Sequence, residues 1–292
     1  MRARRSVFLV VPVALALSAC SVSLASTVKP APADKEPAGG TLHMLRLGPV
    51  DSWDPQRLYV AADMAFAGRV FERTLTAWAP ATDQNTLPKL LPDLATDTGV
   101  MTNGGKVWRF TLRDGSTWQD GRPVTCADVK YGISRTFATV EITGGPTYAL
   151  ALLDVPRNAD GSSTYAGPYR KTGQPAFDKA VSCSGRTITF RLATPMPDFN
   201  QVLGLPAFGP VRADKDHGTA SSTQIFSNGP YMLRGPWVPS RGATFVRNPS
   251  WDPATDPIRG AHPGRIDCRE GIPVARAIRR IMTTSGRDSL AV

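Results

Sequence analysis

Two short motifs contain the residue types that perform lysine-assisted serine chemistry. Lys29 follows Ser26 by three positions, a spacing that brings an amine against a hydroxyl on one turn of a helix. Lys171-Thr172-Gly173 is a second motif that such sites use. However, Ser26 lies in a stretch of small residues and prolines where no helix can hold the lysine against the serine, and Lys171 lies in a loop with several Pro and Gly residues. We therefore interpret both motifs as chance matches.

Cys20 has a different chemistry, because it ends the first hydrophobic segment of the chain. Three arginines precede an apolar run from Val7 to Ala16, which is too short to span a bilayer and is typical of a signal peptide. Leu17-Ser18-Ala19 before the cysteine resembles a bacterial lipobox. We predict that residues 1–19 are a lipoprotein signal peptide. Cleavage before Cys20 and diacylation of its sulfur would anchor the protein at the outer face of the cell membrane.

The sequence leaves alternatives for both the lipidation of this leader and its export route. An ordinary signal peptide with a chance cysteine is the alternative to lipidation. Arg4-Arg5 is compatible with twin-arginine export as well as with the general export route. Beyond the leader, no apolar run approaches the length of a membrane-spanning helix.

The charge balance excludes nucleic acid as an expected partner. The formal net charge is +10, and removal of the leader with its three arginines would lower it to +7. Nucleic-acid binding requires basic residues that cluster with aromatic residues on one face, whereas the arginines here are scattered. We therefore interpret the positive charge as a source of solubility near an anionic cell envelope.

The cysteines and histidines do not predict a metal site. Besides Cys20 the chain contains Cys126, Cys183 and Cys268, none of them in a Cys-x-x-Cys motif, and its three histidines are far apart in sequence. An exported protein can form disulfides. Three cysteines cannot all pair within one chain, so at least one is free or bonded to another chain.

The remaining sequence divides into a tether and a globular region. Residues 20–38 are rich in Ser, Ala, Pro and Lys, a composition that buries little apolar surface, and we predict that they form a lipidated tether. From residue 39 the pattern is globular, and strand and helix patterns mix without a strict βαβ rhythm, which predicts an α/β fold with a mixed sheet. The predicted elements are a strand over Thr41–Leu47, a helix over Ala61–Trp78, strands over Val107–Arg113 and Thr187–Leu192, and a helix that a capping box at Thr125 begins.

The strand over Val107–Arg113 alternates, with Trp108, Phe110 and Leu112 on one predicted inner face. Turns are predicted at Asp114-Gly115 and Asp120-Gly121. The helix after Thr125 has a predicted inner stripe of Val129, Ile133 and Phe137.

Several short motifs follow one another along this globular region, and each occurs once. They are Gly39-Gly40-Thr41-Leu42, Trp53-Asp54-Pro55, Val70-Phe71-Glu72, Leu91-Pro92-Asp93-Leu94-Ala95, the block from Trp108 to Val129, Thr187-Ile188-Thr189-Phe190, Ser227-Asn228-Gly229-Pro230-Tyr231 and Arg247-Asn248-Pro249-Ser250-Trp251-Asp252. Together they resemble the extracellular solute-binding proteins of the peptide and nickel importer group, known as family 5. Most of these residues are expected to be core, turns and caps rather than ligand contacts.

The resemblance implies both a fold and a function. The expected fold is the mixed-sheet first lobe of a two-lobe fold like that of the periplasmic binding proteins, type II, cluster C. The expected function is capture of oligopeptides or similar small solutes for the permease subunits of an ABC importer, with no catalysis, no cofactor and no metal. An extended peptide can pair its backbone with exposed strand edges, and the two lobes close on it.

Three residues occupy positions that face the pocket in the family pattern. They are Tyr59 and Ala61, which follow Asp54-Pro55, and Tyr148, which lies in the loop after the second helix. The resemblance therefore implies that these three residues bind the ligand. The alternative for each tyrosine is an ordinary surface aromatic.

The length of the chain departs from the family pattern. Family members usually continue well beyond residue 292, so we expect residues 39–292 to form an incomplete first lobe. The second lobe, which carries the acidic partner of a peptide's amino terminus, would be largely missing. Two alternatives stay open: a truncated remnant that binds nothing, and a penicillin-interacting serine enzyme of the cell envelope, although the Ser-x-Asn element of such enzymes is absent.

Overall fold

The structure, a computed structural model, describes residues 39–79, 87–283 and 290–291. The predicted leader and tether, with Cys20, Ser26 and Lys29, lie outside the described residues. The strands are β1 (Thr41–Leu45), β2 (Thr76–Ala79), β3 (Lys89–Pro92), β4 (Val100–Thr102), β5 (Val107–Thr111), β6 (Val181–Ser184), β7 (Thr187–Arg191), β8 (Tyr231–Leu233), β9 (Gly242–Arg247), β10 (Arg265–Arg269) and β11 (Leu290–Ala291). The helices are α1 (Ala61–Val70), α2 (Cys126–Arg135), α3 (Tyr148–Leu152), α4 (Gln174–Ala180), α5 (Phe199–Val202) and α6 (Val274–Thr283).

The first sheet combines parallel and antiparallel strands in the order β11-β1-β10-β9-β8. β1 pairs in parallel with both β11 and β10, and the β10–β9 and β9–β8 pairs are antiparallel. Aromatic side chains form the core against this sheet, where the Phe245 ring stacks on Phe71 with centroids 6.0 Å apart. The prediction of an α/β fold with a mixed sheet is confirmed.

The second sheet is antiparallel, in the order β4-β5-β7-β6, and supports a second core. Trp108 and Phe110 on β5 are buried, whereas Arg109 between them is exposed, as the alternation predicted. β5 pairs with β7 in a register that sets Trp108 opposite Phe190, which is also buried. Helices α2 and α4 pack against β6 and β7 and complete this core.

Helix α2 begins with the predicted capping box. The Thr125 hydroxyl accepts a hydrogen bond from the Asp128 N–H at 3.2 Å, and the Asp128 carboxylate accepts one from the Thr125 N–H at 2.8 Å. Two backbone donors that the helix itself leaves unpaired are thus satisfied. The predicted inner stripe is also confirmed, because Val129, Ile133 and Phe137 are buried.

Helix α1 starts at Ala61 as predicted but ends at Val70, so the predicted end at Trp78 is wrong. The segment after Phe71 bonds instead to Asn228: the Arg73 N–H donates to Asn228 Oδ1 at 2.8 Å, and the Asn228 N–H donates to the Phe71 carbonyl at 3.2 Å. These long-range bonds replace those of a continuing helix, and β2 follows.

A disulfide joins Cys126 at the start of α2 to Cys183 on β6. The pairing that the sequence left open is thus resolved, and Cys268 is buried without a disulfide partner among the described cysteines. Because the two bonded residues are 57 positions apart, the bond closes a long loop and ties the helix to the sheet it packs against.

Removal of this disulfide should lower the free energy of unfolding by about 2–4 kcal/mol, because a cross-link over a loop of this length restricts the unfolded chain. We expect reductant to shift the urea midpoint of the unmodified protein downward. The same reductant should leave a Cys126→Ala/Cys183→Ala variant unchanged. Equal shifts in both proteins would contradict the assignment, since the effect would then come from another source.

Candidate functional site

A buried ion pair holds the segment after Asp54, which carries the predicted ligand contacts Tyr59 and Ala61. Both Asp54 carboxylate oxygens accept hydrogen bonds from the Arg135 guanidinium of α2, at 2.7 and 2.6 Å. Both side chains are fully buried, so this bidentate pair forms without competition from solvent. The chain from Asp54 to α1 is therefore held against α2.

Arg135 is the centre of a wider buried network. Its Nε donates to Tyr169 Oη and to Asp216 Oδ2, both at 3.1 Å, and a further nitrogen donates to Ser221 Oγ at 3.1 Å. Burial opposes the charged form, but the hydrogen bonds and charges of Asp54 and Asp216 outweigh it and raise the pKa of Arg135. Burial likewise opposes ionisation of Asp216, yet the charge of Arg135 holds the pKa of that carboxyl below its usual range.

The three predicted contact residues all lie at the surface. The Tyr59 side chain is 67% exposed and Tyr148 is 49% exposed. Ala61 is the first residue of α1, and Tyr148 is the first residue of the short helix α3 rather than part of a loop. The structure thus leaves all three accessible to a ligand, while their role in binding stays a prediction.

The segments that precede the two tyrosines lie side by side. A Cβ added to Gly145 would lie 1.8 Å from the Gln56 carbonyl oxygen, so only glycine permits this contact. The Arg57 guanidinium also donates to the Glu141 carbonyl at 2.7 Å. Residues far apart in sequence therefore form one continuous surface next to Tyr59.

A shallow pocket of about 220 Å³ opens on this surface. Tyr59 and Val60 line it on one side, and Thr143 and Gly144 line it on the other. Asp63 also lines it but is paired with Arg46. The pocket thus lies between the segment that carries Tyr59 and the Thr143-Gly144 segment, and Tyr148 does not line it.

Sequence reasoning missed Arg135 and Asp216. A basic residue at the end of an amphipathic helix is usually solvated, so the position of Arg135 gave no signal of burial. The signal that could have been used is Asp54, a carboxylate directly after the buried Trp53, which requires a cationic partner.

The serine-enzyme motif has a structural explanation. Lys171-Thr172-Gly173 lies in the turn before α4 rather than on a strand, and Gly173 caps that helix in a left-handed conformation. A Cβ on Gly173 would lie 2.1 Å from the Thr164 carbonyl oxygen, so packing accounts for this glycine.

None of the helices in the described ranges is long and apolar enough to cross a membrane.

Comparisons with known proteins show which family this chain is similar to. The family model described as bacterial extracellular solute-binding proteins, family 5, middle part, matches residues 89–267. The chain is 32% identical over 155 residues to the periplasmic oligopeptide-binding protein OppA of Salmonella typhimurium. It is 27% identical over 183 residues to the periplasmic murein peptide-binding protein MppA of Escherichia coli. These matches cover 51% and 59% of this chain but only 27% and 31% of the relatives' own lengths.

Solved structures agree with the sequence comparisons. The clavulanic acid biosynthesis oligopeptide binding protein 2 superimposes with a TM-score of 0.74 at 34% identity, over 85% of this chain and 43% of that protein. The unliganded open form of MppA gives a TM-score of 0.61 over 85% of this chain and 44% of that protein, and at 23% identity it shows the fold alone. The family model covers more than half of the chain, and this chain therefore belongs to the bacterial extracellular solute-binding proteins of family 5.

Proposed function

We propose that this protein is an exported, lipid-anchored solute-binding protein that captures oligopeptides for an ABC importer and performs no catalysis. The observation that carries the proposal is the family match over residues 89–267. The relatives named above are described as binding oligopeptides and murein peptides, which favours a peptide over other solutes. The partners in this proposal are a peptide ligand and the permease subunits of the importer.

The exposed face next to Tyr59 supports a role in peptide binding. Tyr59, Ala61 and Tyr148 would contact the ligand, and within the described ranges both tyrosine rings are exposed. In this mode of recognition the peptide backbone supplies most of the affinity through hydrogen bonds. Water-filled pockets then accommodate different side chains, which suits a receptor for varied peptides.

The disulfide supports export independently of the leader. Cys126 and Cys183 are bonded, and such bonds form and persist in oxidising, extracytoplasmic compartments. The predicted signal peptide and Cys20 would deliver the protein to that compartment and hold it at the outer face of the membrane. Export and anchoring in this proposal thus have separate lines of support.

Saturation-transfer NMR with tri-alanine tests the peptide-binding proposal. This chain spans 43% of the length of the oligopeptide-binding protein on which it superimposes, and its contacts must offset the full loss of translational and rotational freedom. We therefore expect this chain to bind with a Kd on the order of 1 mM. Tyr148→Ala and Tyr59→Ala should each weaken the signal several-fold. Val100→Ala, which alters an exposed residue on β4, should leave it unchanged. Absence of saturation transfer at 10 mM peptide, roughly ten times that Kd, would instead favour the non-binding remnant.

Lipid anchoring is tested by Cys20→Ser, because the thiol that would be acylated is then lost. We expect the unmodified protein to sediment with membranes after a high-salt wash and the variant to appear in the soluble fraction. Labelling with radioactive palmitate should show the same difference. A Cys268→Ser variant, which changes a cysteine far from the leader, should remain with the membranes. Retention of the Cys20→Ser protein there would disprove anchoring through Cys20.

A further inference from the structure

A cavity separate from the peptide face lies between the two hydrophobic cores. Trp53 and Phe71 of the core against the first sheet line it, as does Trp118 of the other core. The segment from Pro210 to Phe226 covers it and contributes the Phe226 ring, whose centroid lies 5.7 Å from that of Trp118. The cavity is therefore lined by aromatic rings on several sides.

Two of the residues that line the cavity carry a buried polar atom with no hydrogen-bond partner within the described part of the chain. These atoms are Trp53 Nε1 and Glu72 Oε1, and the two residues are only 1% and 3% exposed. Burial raises the pKa of the Glu72 carboxyl well above its usual range, and its oxygens can accept a hydrogen bond. Buried polar groups of native proteins are nearly always paired, so two such atoms in residues that line one cavity indicate an absent partner.

The two arginines that line the cavity are already paired with carboxylates. Arg135 is neutralised by Asp54 and Asp216, and Arg212 forms ion pairs with Asp120 and Asp214. Lys215 lies on the solvent side, with its Nζ 5.5 Å from the Phe226 ring centroid. Because both arginines are already paired with carboxylates, neither is a free countercharge for an anion, which favours an uncharged ligand.

The size of the cavity excludes a peptide. Its volume is about 100 Å³, and it is partly open to solvent. A cavity of roughly 150 Å³ admits benzene. The cavity therefore suits a molecule of about one ring.

We propose that this cavity is a second ligand site, which takes a small uncharged aromatic molecule bearing a hydroxyl or carbonyl oxygen. The oxygen would accept a hydrogen bond from Trp53 Nε1, and a hydroxyl could also pair with Glu72. The ring would pack against Phe71, Trp118 and Phe226. No residue lines both this cavity and the pocket next to Tyr59, so the proposal does not depend on peptide binding.

Titration with 4-fluorophenol, observed by ¹⁹F NMR, tests this site, and fluorobenzene serves as the matched ligand without the oxygen. We expect 4-fluorophenol to bind about tenfold more tightly than fluorobenzene, because only the phenol pairs with the buried polar atoms. Trp53→Phe keeps an aromatic side chain but removes the indole N–H, and it should weaken phenol binding by a similar factor. Val211→Trp places a large ring in the partly exposed wall and should abolish binding. Tyr148→Ala should leave it unchanged.

Each result decides the proposal. Absence of 4-fluorophenol binding at millimolar concentration overturns it, as does binding that Val211→Trp leaves intact, since the ligand would then lie elsewhere. Equal affinity for 4-fluorophenol and fluorobenzene overturns the assignment of Trp53 and Glu72 as polar partners. This last comparison uses the unmutated protein, so it holds even if Trp53→Phe does not fold. Circular dichroism of each variant shows whether it folds.

Discussion

Replacement of Arg135 by leucine is expected to lower the free energy of unfolding by about 3–5 kcal/mol. The guanidinium is only 1% exposed and is the buried cationic partner of both Asp54 and Asp216. Removal of the cation leaves two carboxylates in a site with little water, and each must then be neutralised or hydrated. The loss should appear as a lower urea midpoint with an unchanged dependence on urea concentration.

Arg122 provides a matched control for this experiment. Its side chain is 68% exposed and lies 3.9 Å from Asp120 and 3.5 Å from Asp214. Exposed pairs of this kind contribute roughly 0–1 kcal/mol, so Arg122→Leu should change stability little. Arg135→Lys keeps the charge but not the bidentate geometry and should recover only part of the loss. Equal stability of Arg135→Leu and Arg122→Leu would mean that the Asp54 network is hydrated rather than buried.

Trp108→Ala should cost about 3–5 kcal/mol, the range for removal of a large aromatic side chain from a core. The ring is 3% exposed, and its Nε1 donates to the Met196 carbonyl at 3.1 Å. It packs against Phe110 and Phe199, with ring centroids 6.1 and 6.4 Å away. The substitution therefore removes a hydrogen bond and leaves a cavity between β5 and α5.

Trp78→Ala is the control for Trp108→Ala, because the same residue type is there 42% exposed. We expect it to cost less than about 1 kcal/mol. Urea unfolding followed by circular dichroism measures both variants. A cost below about 1 kcal/mol for Trp108→Ala as well would show that β5 presents its other face to the core.

The error in helix α1 shows where the sequence pattern fails. Apolar residues continue at helical spacing past Val70, so the pattern predicted a helix as far as Trp78. Phe71 and Leu75 are indeed buried, but the backbone between them bonds to Asn228, a residue distant in sequence. Periodicity reports which side chains are buried, and here the burial continued after the helix had ended.

The candidate site was only partly predictable, for a related reason. The family pattern indicated Tyr59, Ala61 and Tyr148, and the structure leaves all three exposed. It could not indicate that Gly145 lies against Gln56 and so brings the segments before the two tyrosines together, since the two residues are distant in sequence. It also gave no sign of the cavity behind Trp53, because the two hydrophobic cores that form its walls come together only in the folded chain.

The sequence by itself determined the features that depend on neighbouring residues. The alternation of β5, the turns at Gly115 and Gly121 and the capping box at Thr125 involve contacts within a few positions, and each was found where it was predicted. The tertiary structure decided the partners of buried charges and thiols. Arg135 meets Asp54 across 81 positions, and Cys126 meets Cys183 across 57. Such pairs form because packing of whole elements brings them together. A local pattern of residue types does not specify which distant residue becomes the partner.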